Sequence, residues 1–150
     1  MQVIANNKKA FFQYFILEKI EAGIQLFGDE VKSLRTGKVS IKEAYAETKK
    51  GQLFLINADI SNYDKAASYS KIESKRVRKL LVHKKEISKL QGKIEKEGMT
   101  IIPLKIYFNK KGIAKIEIAI AKGKKLYDKR ESKKKRDWNI QKKRLLKNIN

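Results

Sequence analysis

The fold of this chain is decided by the stretch LKIYFNKKGIAKIEIAI at residues 104–120. Apolar side chains occupy every second position on both sides of a polar break, at Leu104, Ile106, Phe108, Ile116, Ile118 and Ile120. A period of two is typical of a half-buried β-strand, and the break at 109–112 contains the Asn and Gly of a tight turn. The stretch therefore predicts a β-hairpin.

Two upstream segments continue the same pattern. Strand-like AYAE at 44–47 and LFLI at 53–56 flank the turn KKGQ at 49–52, which predicts a second hairpin. In FFQYFILEKIEAGIQLF at 11–27, the even positions from Phe12 onward are apolar except for Glu18. This alternation predicts one long strand that bends near Gly23, since a glycine inside a strand marks a bend or bulge.

Helical patterns lie between the strands. GDEVKSLRTG at 28–37 begins with acidic residues, ends with basic ones and stops at a glycine, which predicts a helix. From 76 to 97 apolar residues fall near helical spacing, and His83 followed by Glu86 can begin a fresh helix there. If the 75–85 segment is helical, it buries three apolar residues and exposes three basic ones: Val77, Leu80 and Leu81, and Arg76, Lys79 and Lys84.

About six antiparallel strands with two to three helices predict a mainly β, α+β fold. A small, partly open barrel of the oligonucleotide-binding type fits the strand count and the charge, although pattern alone does not separate it from another small α+β or barrel fold. We expect an RNA-binding barrel at 1–127 and a basic tail at 128–150. The tail has ten Lys or Arg and three acidic residues, so we expect it to be disordered when free and helical when bound.

The composition points to a polyanionic partner. The 37 Lys and Arg residues against 16 Asp and Glu give a net charge of +21 over 150 residues, which favours nucleic acid, or less often an anionic membrane. With no Cys and one His, thiolate or paired-histidine metal sites and cysteine nucleophiles are excluded. We expect a soluble, cytoplasmic binding protein with no cofactor or metal, and no enzyme.

Three basic segments are candidates for contacting RNA: 75–85, the KGKK at 122–125, and the tail. The first two are also compatible with a solvated helix face and a charged loop. Tyr127 precedes the tail, Trp138 lies within it, and Leu145 and Leu146 lie near its end. Aromatic residues among basic side chains favour stacking on unpaired nucleotides, and docking of Trp138 on the barrel is the alternative. A structural ribosomal protein, a nuclease and an architectural DNA binder remain alternatives.

Several stretches resemble, in order, the small protein B (SmpB) family, the SsrA-binding proteins that partner transfer-messenger RNA (tmRNA). They are NKKA at 7–10, EAGI at 21–24, GDEVKSLR at 28–35, RVRKLL at 76–81 and AKGKKLYDKR at 121–130. The resemblance implies an adaptor that binds the tRNA-like part of tmRNA and delivers it to stalled ribosomes. It also implies a tail that probes the empty messenger channel near the decoding centre. The stretch at 68–76 departs from the family's pattern.

The candidate site residues form an RNA-binding set and, as the resemblance implies, a ribosome-engaging set. In the RNA-binding set, the resemblance implies Glu21, Leu81, His83, Gly123, Lys124 and Lys125. The set also includes the basic residues Lys32, Arg35, Arg76, Arg78 and Lys79. The ribosome-engaging set comprises Tyr127, Asp128, Lys129, Arg130, Trp138, Leu145 and Leu146. We expect the partners to be tmRNA and the ribosome in a bacterial cytoplasm, with no membrane and no DNA, and the protein to be a monomer on the RNA.

Overall fold

The computed structural model describes residues 2–61 and 72–124. Within these ranges the chain forms nine strands and three helices. The strands are β1 (Gln2–Asn6), β2 (Tyr14–Ile24), β3 (Val39–Ser40), β4 (Tyr45–Lys49), β5 (Gln52–Ile56), β6 (Asp59–Ile60), β7 (Arg78–Leu81), β8 (Thr100–Phe108) and β9 (Ala114–Gly123). The helices are α1 (Ala10–Gln13), α2 (Gly28–Arg35) and α3 (Lys84–Glu97). Among them, no helix is long and apolar enough to cross a membrane.

The main sheet is antiparallel and its pairings close on themselves. The order is β1-β8-β4-β5-β7-β2-β9, and β8 also pairs with β9, so six strands form a closed circuit while β1 lies outside it on β8. A short second sheet joins β3 to β6. This arrangement confirms the mainly antiparallel α+β class.

Both predicted hairpins are confirmed. In the β8–β9 hairpin, Ile106 faces Ile116 and Phe108 faces Ala114, and the Asn109 side chain accepts hydrogen bonds from the amides of Lys111 and Ile113 across the turn. In the β4–β5 hairpin, Lys50 and Gly51 both have positive φ, of 52° and 72°. Two such residues in succession form the type I′ turn whose twist matches that of the strands.

The long strand begins later than the alternation predicts. Residues 10–13 form α1, so the prediction that Phe12 starts the strand is wrong. Ala10 in α1 is 1% exposed and packs on the outer face of β8 and β9, and this tertiary packing overrides the local pattern. The register shifts between Ile16 and Glu18. Gly23 is the residue at which β2 pairs with both β9 and β7.

The helix predictions are half confirmed. Helix α2 matches the predicted 28–37 stretch, and Gly37 after it has a φ of 76°. The division at His83 is also confirmed, because α3 begins at Lys84. The helix predicted before His83 is wrong: Arg78–Leu81 is strand β7, paired with β5 and β2. Consequently Val77 and Leu81, predicted to be buried, are 52% and 51% exposed.

The core lies inside the circuit of strands. Leu53 and Leu55 from β5 and Ile116 and Ile118 from β9 are fully buried there. Both longer helices contribute buried side chains to this core, α2 through Leu34 and α3 through Ile87 and Leu90. A smaller cluster on the outer face of β8 and β9 packs under α1: Ala10, Ile102, Leu104, Ala119 and Ala121. The core therefore holds β2, β7 and α3 together at one end of the sheet.

Candidate nucleic-acid interface

A groove of about 990 Å³ lies where β2, β7, β9, the β4–β5 turn and the start of α3 meet. Four residues predicted from the sequence line it together: Glu21, Lys79, Leu81 and His83. Among the described residues, its cationic side chains are Lys50, Lys79, Lys84 and Lys115. We call this surface the basic groove. Its four lysines suit an RNA backbone, because clustered lysines attract phosphates.

The wall of the basic groove follows from strand alternation. On β2, Ile20, Ala22 and Ile24 point into the core, which places Glu21 and Gly23 on the outer face. On β7, Leu80 points inward and Leu81 outward. Gly23 pairs with Leu81, and a Cβ added to Gly23 would lie 3.2 Å from the Leu81 Cβ. The glycine therefore lets the exposed leucine lie close against the strand.

The Glu21 carboxylate is held by a buried tyrosine. The Tyr107 hydroxyl donates a short hydrogen bond to Glu21 Oε2, and Tyr107 is only 4% exposed. Burial and the neighbouring carboxylate raise the pKa of Tyr107 far above its usual value, so the hydroxyl stays a donor. Glu21 itself remains exposed. This anchoring fixes an acceptor in a groove that four lysines and a second carboxylate, Glu86, also line, and such an acceptor suits a base amino group or a ribose hydroxyl.

His83 lies at the N-terminus of α3. Its backbone is extended, with φ −65° and ψ 148°, and its carbonyl accepts hydrogen bonds from the Glu86 and Ile87 amides. The side chain is exposed in the basic groove. The positive end of the α3 dipole adds to the lysine charges at this point, which favours an anionic group.

Arg78 does not lie in the basic groove. Its side chain is fully buried, and its Nε donates to Glu30 Oε2 at 2.6 Å. Its other nitrogens donate to the carbonyls of Ala58, Arg76 and Ser74. All of its polar groups are used inside the protein, so this arginine has a structural role rather than the phosphate contact that the sequence suggested.

Glu30 is the buried anion that organises both arginines of the 76–78 motif. It is 3% exposed and accepts hydrogen bonds from Arg76 Nη2 at 2.5 Å, from Arg78 and from the Phe27 amide at 2.9 Å. Burial alone would raise the pKa of the Glu30 carboxyl. The hydrogen bonds from Arg76 and Phe27 and the charge of Arg78 outweigh burial and hold this pKa below its usual value. Sequence reasoning missed Glu30, since an acid in the first helical turn already satisfies the helix dipole.

The predicted cations of α2 lie elsewhere. The Arg35 guanidinium carbon is 5.9 Å from the Phe108 ring centroid. The Arg35 residue lines a separate cavity together with Asn109 and Lys110. Lys32 is exposed on the same helix. The structure therefore does not bring Lys32 or Arg35 into the basic groove.

A second surface lies at the other end of β2, where β9 ends at Gly123. Lys124 Nζ donates to the Phe11 carbonyl at 3.2 Å and lies 5.3 Å from the Phe15 ring centroid. Phe11, Phe12 and Phe15 are 50%, 80% and 41% exposed. We call these three rings with Lys124 the aromatic surface. Phe15 and Gly23 are separated by roughly 25 Å of extended chain, so this surface and the basic groove are distinct.

Sequence reasoning missed the aromatic surface because the alternation in 11–27 predicts one long strand with Phe12 on its apolar face and does not single out Phe11 or Phe15. The remaining predicted residues lie outside the described part of the chain: Lys125, Tyr127, Asp128, Lys129, Arg130, Trp138, Leu145 and Leu146. Within 2–61 and 72–124, no group of three His, Cys, Asp or Glu side chains is placed to hold a metal ion.

Comparisons with known proteins add to this geometry. The family described as "SmpB protein" matches residues 4–148. The SsrA-binding protein of Nitrobacter winogradskyi is 56% identical over 146 residues, which cover 97% of this chain and 92% of that protein. The SsrA-binding protein of Bradyrhizobium sp. strain BTAi1 is 58% identical over 144 residues, covering 96% and 91%. A solved structure described as "tmRNA-SmpB: a journey to the center of the bacterial ribosome" has a chain 47% identical, with a TM-score of 0.68, covering 83% of this chain and 85% of that one.

Proposed function

This chain belongs to the SmpB protein family, and from that membership we propose that it binds the tRNA-like part of tmRNA and delivers it to stalled ribosomes. The observation that carries the proposal is the basic groove. Glu21, Leu81 and His83 come from different elements, and the fold assembles all three in this groove. These three of the positions that the family resemblance assigned to RNA contact are therefore neighbours in space.

Each type of side chain in the basic groove has a separate task in this proposal. The four lysines Lys50, Lys79, Lys84 and Lys115 bind backbone phosphates as point charges. Leu81, half exposed beside Gly23, packs against a base or ribose face. The Tyr107-anchored Glu21 accepts a hydrogen bond from a base or a ribose hydroxyl, which distinguishes RNA structure rather than charge alone.

The aromatic surface and the tail serve the ribosome in the proposed mechanism. Gly123 and Lys124 end β9 next to Phe11 and Phe15, so the chain that continues into the basic tail leaves the described structure beside exposed rings. Aromatic rings flanked by lysines suit unpaired nucleotides. We propose that this end of the molecule faces the decoding centre and the empty messenger channel, with Tyr127, Trp138, Leu145 and Leu146 of the tail engaging there.

The protein acts in this scheme as a non-catalytic adaptor in the bacterial cytoplasm, monomeric on its RNA. Recognition and placement of tmRNA are the steps it contributes. Its single histidine, His83, lines the same groove as Lys79 and Lys84, which suits contact with RNA phosphates.

The decisive experiment is competitive binding by the full chain. We expect a labelled tRNA-like fragment of tmRNA to be retained at near-physiological salt against an excess of unrelated tRNA. A Leu81→Ala variant should weaken that retention, whereas Tyr45→Ala, an exposed aromatic residue outside the groove, should not. Equal binding of both RNAs would overturn the proposal. Equal amounts of the protein on idle and stalled ribosomes would then favour a structural ribosomal protein.

A further inference from the structure

The outer face of β2 and β7 continues beyond the basic groove. The two strands pair Gly23 with Leu81, and the Gln25 amide then donates to the Lys79 carbonyl at 3.0 Å. Phe27 lies two residues after Gln25, and Val77 lies two residues before Lys79. Phe27 lies beyond the end of β2, as the extended residue that precedes α2, with φ −79° and ψ 159°. It follows Gln25, whose partner Lys79 lines the groove.

Phe27 is held in place although it is exposed. Its ring is 55% accessible, and the Arg76 guanidinium carbon lies 4.5 Å from the ring centroid. Arg76 in turn donates to the Glu30 carboxylate and to the Gln25 carbonyl, while the Phe27 amide donates to the same carboxylate. One buried anion therefore fixes both members of the stack, so the ring is pre-organised before any ligand arrives.

The Phe27 ring is not part of either hydrophobic cluster. Leu26, the preceding residue, packs against the core cluster, whereas Phe27 points away from it. The surface at the start of α2, directly after Phe27, is open as well, since a Cβ built on Gly28 would meet no other described part of the chain within 4 Å. Since Arg76 covers one face of the ring, the accessible area is left on the other face and the edge. An exposed, rigid aromatic ring backed by a cation beside a lysine-lined groove is chemically suited to a nucleobase.

We infer that Phe27, stacked on Arg76, is a stacking site for one unpaired base of the RNA that the basic groove binds. The inference rests on the proposed function and names a residue that the groove itself does not include. The lysines hold the backbone through charge, and Phe27 adds an uncharged contact at the end of the groove. Glu30 acts as a positioning residue, because it sets the guanidinium that supports the ring.

The test compares Phe27→Ala with wild type in the full chain, using the tRNA-like fragment of tmRNA as the probe. We expect the dissociation constant to rise about 5- to 150-fold, the range for loss of one base–aromatic stack. The slope of log K against log salt should stay unchanged, because phenylalanine neutralises no phosphate. Phe27→Trp should bind at least as well as wild type, and Tyr45→Ala is the matched exposed-aromatic control.

Several outcomes would overturn the inference. Wild-type affinity in Phe27→Ala would do so, as would an equal loss in Tyr45→Ala. If Phe27→Ala fails to fold, Phe27→Leu keeps the apolar bulk without the ring, and wild-type affinity in that variant refutes stacking. A variant that binds RNA normally but loses ribosome rescue assigns the ring to a protein partner instead. Failure of wild type to prefer the fragment over unrelated tRNA counts against the proposed function, whereas preference without a Phe27 effect counts against this site alone.

Discussion

Replacing Lys79 and Lys84 with glutamine removes two of the four described lysines of the basic groove while keeping most of the side-chain length. Each lysine that neutralises a phosphate contributes about −0.7 to −0.9 to the slope of log K against log salt. The four groove lysines together thus contribute about −3, and the double variant retains about −1.5 of that. Other cations of the chain add equally to both slopes, so the difference of about 1.5 is the quantity to measure.

The assay is titration of the labelled tRNA-like fragment at several KCl concentrations. A threefold rise in salt should reduce the groove-dependent affinity about 27-fold in wild type and about fivefold in the double variant. The matched control is Lys42→Gln with Lys96→Gln, which removes the same charge from exposed positions outside the groove. We expect the control to keep a slope close to that of wild type, because distant exposed charges are screened.

Two results would refute this reasoning. If the groove variant keeps the wild-type slope, its lysines do not contact phosphates. If the control loses as much slope as the groove variant, binding follows net charge rather than the placement of lysines in the groove. Circular dichroism and a urea midpoint establish that both variants remain folded.

Other predictions concern the buried arginine, pH, a strand glycine and the tail. Arg78→Ala should lower the free energy of unfolding by about 3–5 kcal/mol, because it leaves part of a buried carboxylate uncompensated; a urea-measured loss below about 1 kcal/mol would contradict this. Since the folded pKa of Glu30 is lowered, its stabilisation is present above the unfolded pKa of about 4.3 and lost as pH falls through the folded value. Urea unfolding of Glu30→Gln should therefore show a flatter acid limb than wild type, and parallel limbs would argue against this linkage. Gly23→Ala should displace Leu81, 3.2 Å from the added Cβ, and weaken fragment binding, which gel shift checks; unchanged affinity would mean that the Leu81 position is not critical. Removing 128–150 should leave fragment binding largely intact and abolish rescue of stalled ribosomes in a reconstituted assay, whereas loss of RNA binding would refute the proposed division of labour.

The hairpins were predictable because their information is local. Alternation in 106–120 and a glycine turn specify both strands, and the structure pairs Ile106 with Ile116 as that pattern requires. The register shift between Pro103 and Lys105, which places Leu104 in the outer cluster, is not visible in the alternation. Helix α2 was predictable for the same reason, from charge order and the glycine that follows it. Segment 76–82 was not, since Val77, Leu80 and Leu81 satisfy helical spacing equally well. Only pairing with β5 and β2 makes it a strand.

That pairing also decides what each cation of the motif does. In a strand, Arg78 and Leu80 share the inward side, so the arginine enters the core and meets Glu30. The sequence contains both charges but does not show that they are 2.6 Å apart. A charged residue in a basic motif is normally solvated, and nothing local marks the one that is buried.

By itself the sequence determined the mainly β class, both hairpins, the cationic character and, through its resemblance to a known family, the partner class. These follow from composition and short-range periodicity, which act within a few residues. The tertiary structure alone decided that Glu21, Lys50, Leu81, Lys84 and Lys115 share one groove. It also decided that Arg78 is buried while Phe27 is exposed. Such placements depend on strand pairing and core packing between distant segments, because burial is a property of the assembled molecule and not of any single stretch.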